Sequence, residues 1–136
     1  MINFAEAAKR HFHSARELEP KEALQGTTDH LLGLSVECAL KAILVLLKVG
    51  EIKDQYLQVN GKRSKGHVDK YIGEYNNSIK NANFEYGDTS SWDDWKVDQR
   101  YAADQDFTPE KLKRRFDSSL KAMKLLESAE NNNGVK

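Results

Sequence analysis

Residues 29–49, DHLLGLSVECALKAILVLLKV, constrain this chain more than any other stretch. Placed on a helix, Leu31, Leu34, Cys38, Ala42 and Val45 share one face, and Leu32, Val36, Ala39, Ile43 and Leu47 share another. A helix apolar on several sides belongs in the middle of a domain. Three polar groups interrupt it. At 100° per residue His30, Leu34, Glu37, Lys41 and Leu44 fall on one stripe. Polar groups on such a helix need partners, because an unsatisfied one costs about 1–3 kcal/mol.

That run resembles a membrane span only in length. Glu37, Lys41 and Lys48 break it, and a span requires about 20 predominantly apolar residues. The expectation is a core helix and no membrane. The 136 residues suffice for one domain with a real core. Lys plus Arg and Asp plus Glu number 21 each, so the formal net charge is zero. This argues against broad electrostatic binding of nucleic acid while leaving room for a local basic patch. The single cysteine, Cys38, supports neither an internal disulfide nor a thiolate zinc site. With no apolar signal-peptide core near the start, a buried thiol fits a reducing compartment, and the expected location is the cytoplasm.

The remaining helices announce themselves by periodicity. Residues 3–18 carry the stripe Phe4, Ala8, Phe12, Ala15 and Leu18, with Asn3 and Glu6 as a capping box and Pro20 beyond the end. Thr27, Thr28 or Asp29 can cap the second helix, read as residues 28–49, and Gly50 can stop it. Residues 51–66 are polar. Asn60-Gly61 is a turn signal that leaves a hairpin open, though without alternating strands on both sides, and 59–66 reads as mobile. Val68, Tyr71, Ile72, Tyr75 and Ile79 mark a third helix at 67–81. Thr108, Pro109 and Glu110 start the last one, 108–128, with Leu112, Phe116, Leu120, Met123 and Leu126 as its buried face. Residues 82–107 are aromatic-rich, with room for a short fifth helix, and their rings should pin the segment to the bundle. The fold expected is therefore all-α, an up-and-down bundle of four main helices. One domain should span residues 1–130, with 131–136 a disordered tail.

Three blocks, in this order and spacing, resemble the HEPN (higher eukaryotes and prokaryotes nucleotide-binding) domains. They are AKRHFHSARELE at 8–19, DHLLGLSVECALKAILV at 29–45, and DWKVDQRYAADQDFTPEKLKRRFDSSLKAMKLLESA at 94–129. The Arg100-Tyr101 pair before the last helix, and GHVDKYI opening the third helix with His67, are also similar to that family. The resemblance implies a small helical bundle, often a homodimer, or one paired with a nucleotidyltransferase or another protein partner. It implies nucleotide or RNA binding, and in many members a ribonuclease or the toxin of a toxin-antitoxin pair. The ribonuclease signature is Arg, four to six intervening residues, then His. This chain departs from it: only three residues intervene between Arg63 and His67, and Lys62, with four intervening, lacks the guanidinium fork. The function expected is a non-catalytic or degenerate module binding a nucleotide, RNA or a protein. The alternative is a metal-independent endoribonuclease using His67 and Arg63.

Two clusters carry these readings. The stripe of His30, Glu37 and Lys41, joined by Arg100 and Tyr101, is either a structural ion network or the floor of an anion pocket. A metal fits worst there, since His30 and Glu37 lie two turns apart and Lys41 repels cations. Lys62, Arg63, Lys65 and His67 are either a solvated loop or a phosphate-holding one. In the catalytic alternative His67 is the acid/base and Arg63 stabilises the phosphorane. No glycine-rich phosphate loop, zinc-ligand spacing or nucleophile triad is present, so no cofactor is expected. The acidic stretch 85–106 and the basic start of the last helix should neutralise each other.

Overall fold

The computed structural model describes residues 2–21, 24–64, 66–87, 90–96 and 107–132. Four helices form the bundle: α1 (Phe4–Leu18), α2 (Gln25–Leu46), α3 (Val68–Ile79) and α4 (Pro109–Asn132). Between α2 and α3 runs a small antiparallel meander, β1 (Gly50–Lys53), β2 (Tyr56–Val59) and β3 (Lys62–Arg63). No described helix is long and apolar enough to cross a membrane. As its all-round apolarity demands, α2 is the centre: Leu32, Val36, Ala39, Leu40, Ile43 and Leu44 are fully buried, and α1, α3 and α4 all pack on it.

Local chemistry explains most of the ends. Asn3 Oδ1 accepts the Glu6 amide at 3.0 Å, and Thr108 Oγ1 accepts the Lys111 amide at 3.1 Å, each satisfying an orphan donor of a first turn. The end of α2 differs from the expected glycine stop. Lys48 takes the left-handed conformation (φ 61°), its amide bonds Val45 O at 3.1 Å, and the Val49 amide bonds Leu44 O at 2.9 Å. This is a Schellman closure on a lysine. Gly50 is needed for a different reason: it opens β1, where a Cβ would crowd the Leu57 side chain.

The sheet is an addition to the expected bundle. Asp54 and Gln55 both have positive φ (54° and 67°), as do Asn60 and Gly61 (54° and 78°), the backbone of two-residue type I′ turns. Only the second turn advertises itself in the residues. The segment read as a mobile loop is thus ordered by cross-strand bonds, and Leu57 is buried beneath it.

Three further expectations are corrected. Asp29 does not cap α2, which begins at Gln25; it is fully buried and bonds Arg115 Nε at 2.8 Å. The buried face of α4 is only partly the expected one: Leu112 and Leu126 are buried as expected, but Arg115, Ser118, Ser119, Ala122 and Ala129 also face inward, while Leu120 is exposed and Phe116 and Met123 only half-buried. Small residues on that face let α4 approach α2 and leave room for two large rings. Finally, α4 continues to Asn132, past the expected start of the tail, with Ala129 buried and Glu130 paired to Lys9 at 2.9 Å. Residues 133–136 lie outside the described residues.

The described rings of the aromatic segment, Phe84, Tyr86, Trp92, Trp95 and Phe107, are buried as expected, with two 3-10 turns, Ala82–Phe84 and Ser90–Trp92, and no fifth α-helix among the described residues; Tyr101 lies outside them. Tyr75 donates to Phe84 O at 2.6 Å, Asn76 brackets Tyr86 with two 2.9 Å bonds, and the Trp92 indole donates to Ser118 Oγ at 2.8 Å. Asp94 receives Lys111 at 3.3 Å, Arg115 at 3.2 Å and Arg114 at 3.9 Å, so one acid of the 85–106 stretch meets the basic start of α4; Asp88, Asp98, Asp104 and Asp106 lie outside the described residues.

Candidate functional site

The two clusters read separately in the sequence are one cluster in space. Glu37, on the polar stripe of α2, bonds Lys41 Nζ through Oε2 at 2.9 Å and His67 Nδ1 through Oε1 at 3.0 Å. A carboxylate only accepts, so His67 Nδ1 carries the proton and Nε2 is left as the basic or reacting nitrogen. His67 is the N-cap of α3, held in extended backbone, and Gly66 before it adopts φ 100°, which an L side chain rarely tolerates. That reversal turns the imidazole toward α2. Its side chain remains 46% exposed, whereas Glu37 and Lys41 are nearly buried.

Lys41 is held by more than its ion pair. Its ammonium lies 5.6 Å from the Phe4 ring centroid and 5.3 Å from that of Tyr71, so two rings from α1 and α3 flank the charge. Burial pushes the Tyr71 hydroxyl up, keeping it protonated. Beside Glu37 in the chain, burial and the Glu37 charge raise the Cys38 thiol to about 11, which makes it inert. His11 of α1 is also within reach of the Glu37 charge, but burial and Arg10 outweigh it and lower that imidazole.

The meander supplies the outer wall. Arg63 on β3 lays its guanidinium 3.3 Å over the Tyr56 ring of β2, and the Ser64 hydroxyl donates to Glu74 Oε1 at 3.0 Å. An open cleft of about 340 Å³ results, with Ile2 and Phe4 on one side, Tyr56, Arg63, Ser64 and Gly66 on the other, and Glu37, Lys41 and His67 along it. Trp95 packs behind His67, outside the cleft lining. It stacks on His30 at 5.7 Å between centroids, tilts against His67 at 6.3 Å, and donates its indole N–H to Asp29 O at 3.1 Å. Gly33 is what admits it, since a Cβ there would overlap the indole.

Of the residues singled out in the sequence, Glu37, Lys41, His67 and Arg63 meet in the cleft. His30 shares the stripe but stacks behind it on Trp95. Arg100, Tyr101 and Lys65 lie outside the described residues. Sequence reasoning missed the parts played by Phe4, Tyr56, Tyr71 and Trp95; Gly33 within an apolar helix and Gly66 beside a histidine were the available signals. Among the described residues no three His, Cys, Asp or Glu side chains converge as a metal ligand set. The chemistry available is anion binding by Arg63, base stacking on the Tyr56–Arg63 pair, and proton transfer at His67 Nε2.

The fold and site together define a class: a four-helix bundle carrying a His–Glu–Lys array under a β-meander wall. No family model matches the chain, and neither a curated protein nor a solved structure matches it.

Proposed function

We propose that this chain is an HEPN-like module whose cleft binds the phosphate of a nucleotide or of an RNA strand, without efficient catalysis. The observation that carries the reading is the placement of Arg63 and His67 on one open cleft beside the exposed Tyr56 ring. A phosphate meets the Arg63 guanidinium with the half-exposed His67 imidazole beside it, and a base finds a flat guanidinium-and-ring surface. Glu37 neutralises Lys41 at the floor and also holds His67, which leaves the Arg63 guanidinium as the cleft's charge toward an anion among the described lining residues. A lone, part-buried thiol supports placing the protein in the cytoplasm.

A second reading is metal-independent RNA cleavage, and the 3.0 Å contact of Glu37 with His67 Nδ1 favours it. A carboxylate that orients an imidazole is the arrangement used for general acid/base work. His67 Nε2 would take the proton of the ribose 2′-hydroxyl as that oxygen attacks phosphorus, and return it to the departing 5′-oxygen. Arg63 would stabilise the phosphorane, and a 2′,3′-cyclic phosphate would result. The short Arg-to-His spacing ranks this reading second.

One experiment separates them. Structured and single-stranded RNA are incubated with the protein in excess chelator, beside His67→Ala, and binding is followed by fluorescence anisotropy across a salt series. The expected outcome is binding without cleavage, weakening steeply with salt, and about tenfold weaker in Arg63→Ala. Cleavage that vanishes in His67→Ala would establish the ribonuclease instead. Neither binding nor cleavage would leave a protein-interaction module.

A further inference from the structure

We propose that two copies of this chain pair antiparallel through the outer edge of β1, about a two-fold axis at Ile52. The strand order β1-β2-β3 leaves β1 at an edge. The two-residue turn at Asp54 and Gln55 makes Lys53↔Tyr56 the hydrogen-bonded pair that closes the hairpin, and Glu51↔Gln58 the next one. Gly50 and Ile52 therefore direct their N–H and C=O groups away from β2. Among the described residues no backbone bond reaches that edge. Unpaired strand edges of this kind are templates for another strand.

The side chains select the occupant. Ile52 is 39% exposed on a strand otherwise bearing charges, and it borders an apolar groove with Ile2, Phe4, Val45 and Leu46. Because Gly50 and Ile52 carry the outward groups, only registers that set even-numbered residues opposite each other satisfy the backbone. Centring on Ile52 places Ile52 against Ile52 of the second copy, with mutual N–H···O=C bonds. It also places Glu51 against Lys53 of the second copy, twice, at the closer, non-hydrogen-bonded positions. Slipping to either neighbouring register sets Glu51 against Glu51 or Lys53 against Lys53, and like charges directly opposite are destabilising. The strand is thus self-complementary in charge, apolar contact and hydrogen bonding at a single register, which points to a second copy of itself rather than a foreign strand. The meanders of two copies would join as one six-stranded sheet. This surface does not depend on the cleft binding RNA, and its failure would leave that reading untouched.

The test is sedimentation equilibrium up to high micromolar concentration on four proteins: wild type, Glu51→Lys, Lys53→Glu and the double exchange. Glu51 and Lys53 are exposed, so each variant should keep the wild-type far-UV spectrum. The expected result is a wild-type dimer, single variants that dimerise about tenfold more weakly or worse, and recovery in the double exchange. A wild type that stays monomeric at the highest concentration would overturn the proposal. So would a dimer equally tight in Glu51→Lys, or a double exchange that recovers nothing.

Discussion

Glu37 and His67 stand thirty positions apart and meet at 3.0 Å, while the other Glu37 oxygen holds Lys41 at 2.9 Å. One carboxylate therefore serves a buried ammonium and a half-exposed imidazole. The two tasks differ in energy. An ion pair on the flank of an exposed helix is worth a few tenths of a kcal/mol. Here the Phe4 and Tyr71 rings also flank the nearly buried ammonium, so losing the carboxylate leaves a largely desolvated charge without its partner.

Replacing Glu37 by Ala should consequently lower the unfolding free energy by about 3 kcal/mol, the cost of orphaning a buried charge. The double variant Glu37→Ala/Lys41→Met should recover part of that loss, since an apolar side chain suits the ring-lined site. His67→Ala should cost far less, its side chain being 46% exposed. Urea titrations of the four proteins check this, and a Glu37→Ala midpoint equal to wild type would refute it.

Gly33→Ala should destabilise the fold although it improves helix propensity. The propensity gain is about 1 kcal/mol. Against it stands the displacement of Trp95, whose indole occupies the space of the missing Cβ, and overpacking of that sort costs about 1–3 kcal/mol in general. Here the upper end applies, because Trp95 also loses its bond to Asp29 O and its stack on His30. The net expected loss is about 2 kcal/mol. Tryptophan emission should shift to the red in the variant, and an unchanged spectrum with a raised Tm would reverse the argument.

Asp94 should contribute to acid sensitivity. Desolvation pushes its carboxyl up, but Arg115 and Lys111 outweigh that and hold it below its ordinary value of 3.8. A depressed folded pKa means the native state releases the proton more readily than the unfolded chain. The resulting stability is complete above the unfolded value and is lost as pH falls through the folded one. Asp94→Asn should then differ most from wild type at pH 5 and above, with the gap in Tm closing below about pH 3.8. The gap should be modest, because the side chain is half exposed and water screens its ion pairs. A gap that persists undiminished at the acid end would assign the effect to packing.

The helices were legible because each writes its burial into its own periodicity. The bounds of α1 and α3 agree with the apolar spacing to within two residues, and Leu40 and Leu44 are buried as the all-round apolarity of α2 requires. The face of α4 was misread for a physical reason. Phe116, Leu120 and Met123 are the greasier stripe, yet Ser118, Ser119 and Ala122 are buried in their place, and Arg115 goes in with them because Asp29 waits on α2. Hydrophobicity ranks side chains one at a time, whereas close approach between helices favours small ones, and a buried charge is tolerated only where its partner lies on another element.

The chain by itself therefore determined four helices, a central α2, and the Glu37–Lys41 pair, since all of these follow from spacing within one helix. Only the tertiary structure decided that His67 completes that pair, that Arg63 shares the cleft from a β-strand, and that Trp95 packs against His67. Those contacts depend on two type I′ turns, one of them at Asp54 and Gln55 with no glycine to mark it, and on a left-handed Gly66. Periodicity is a local property of the chain, and the distance between two residues thirty positions apart is set by how everything between them packs.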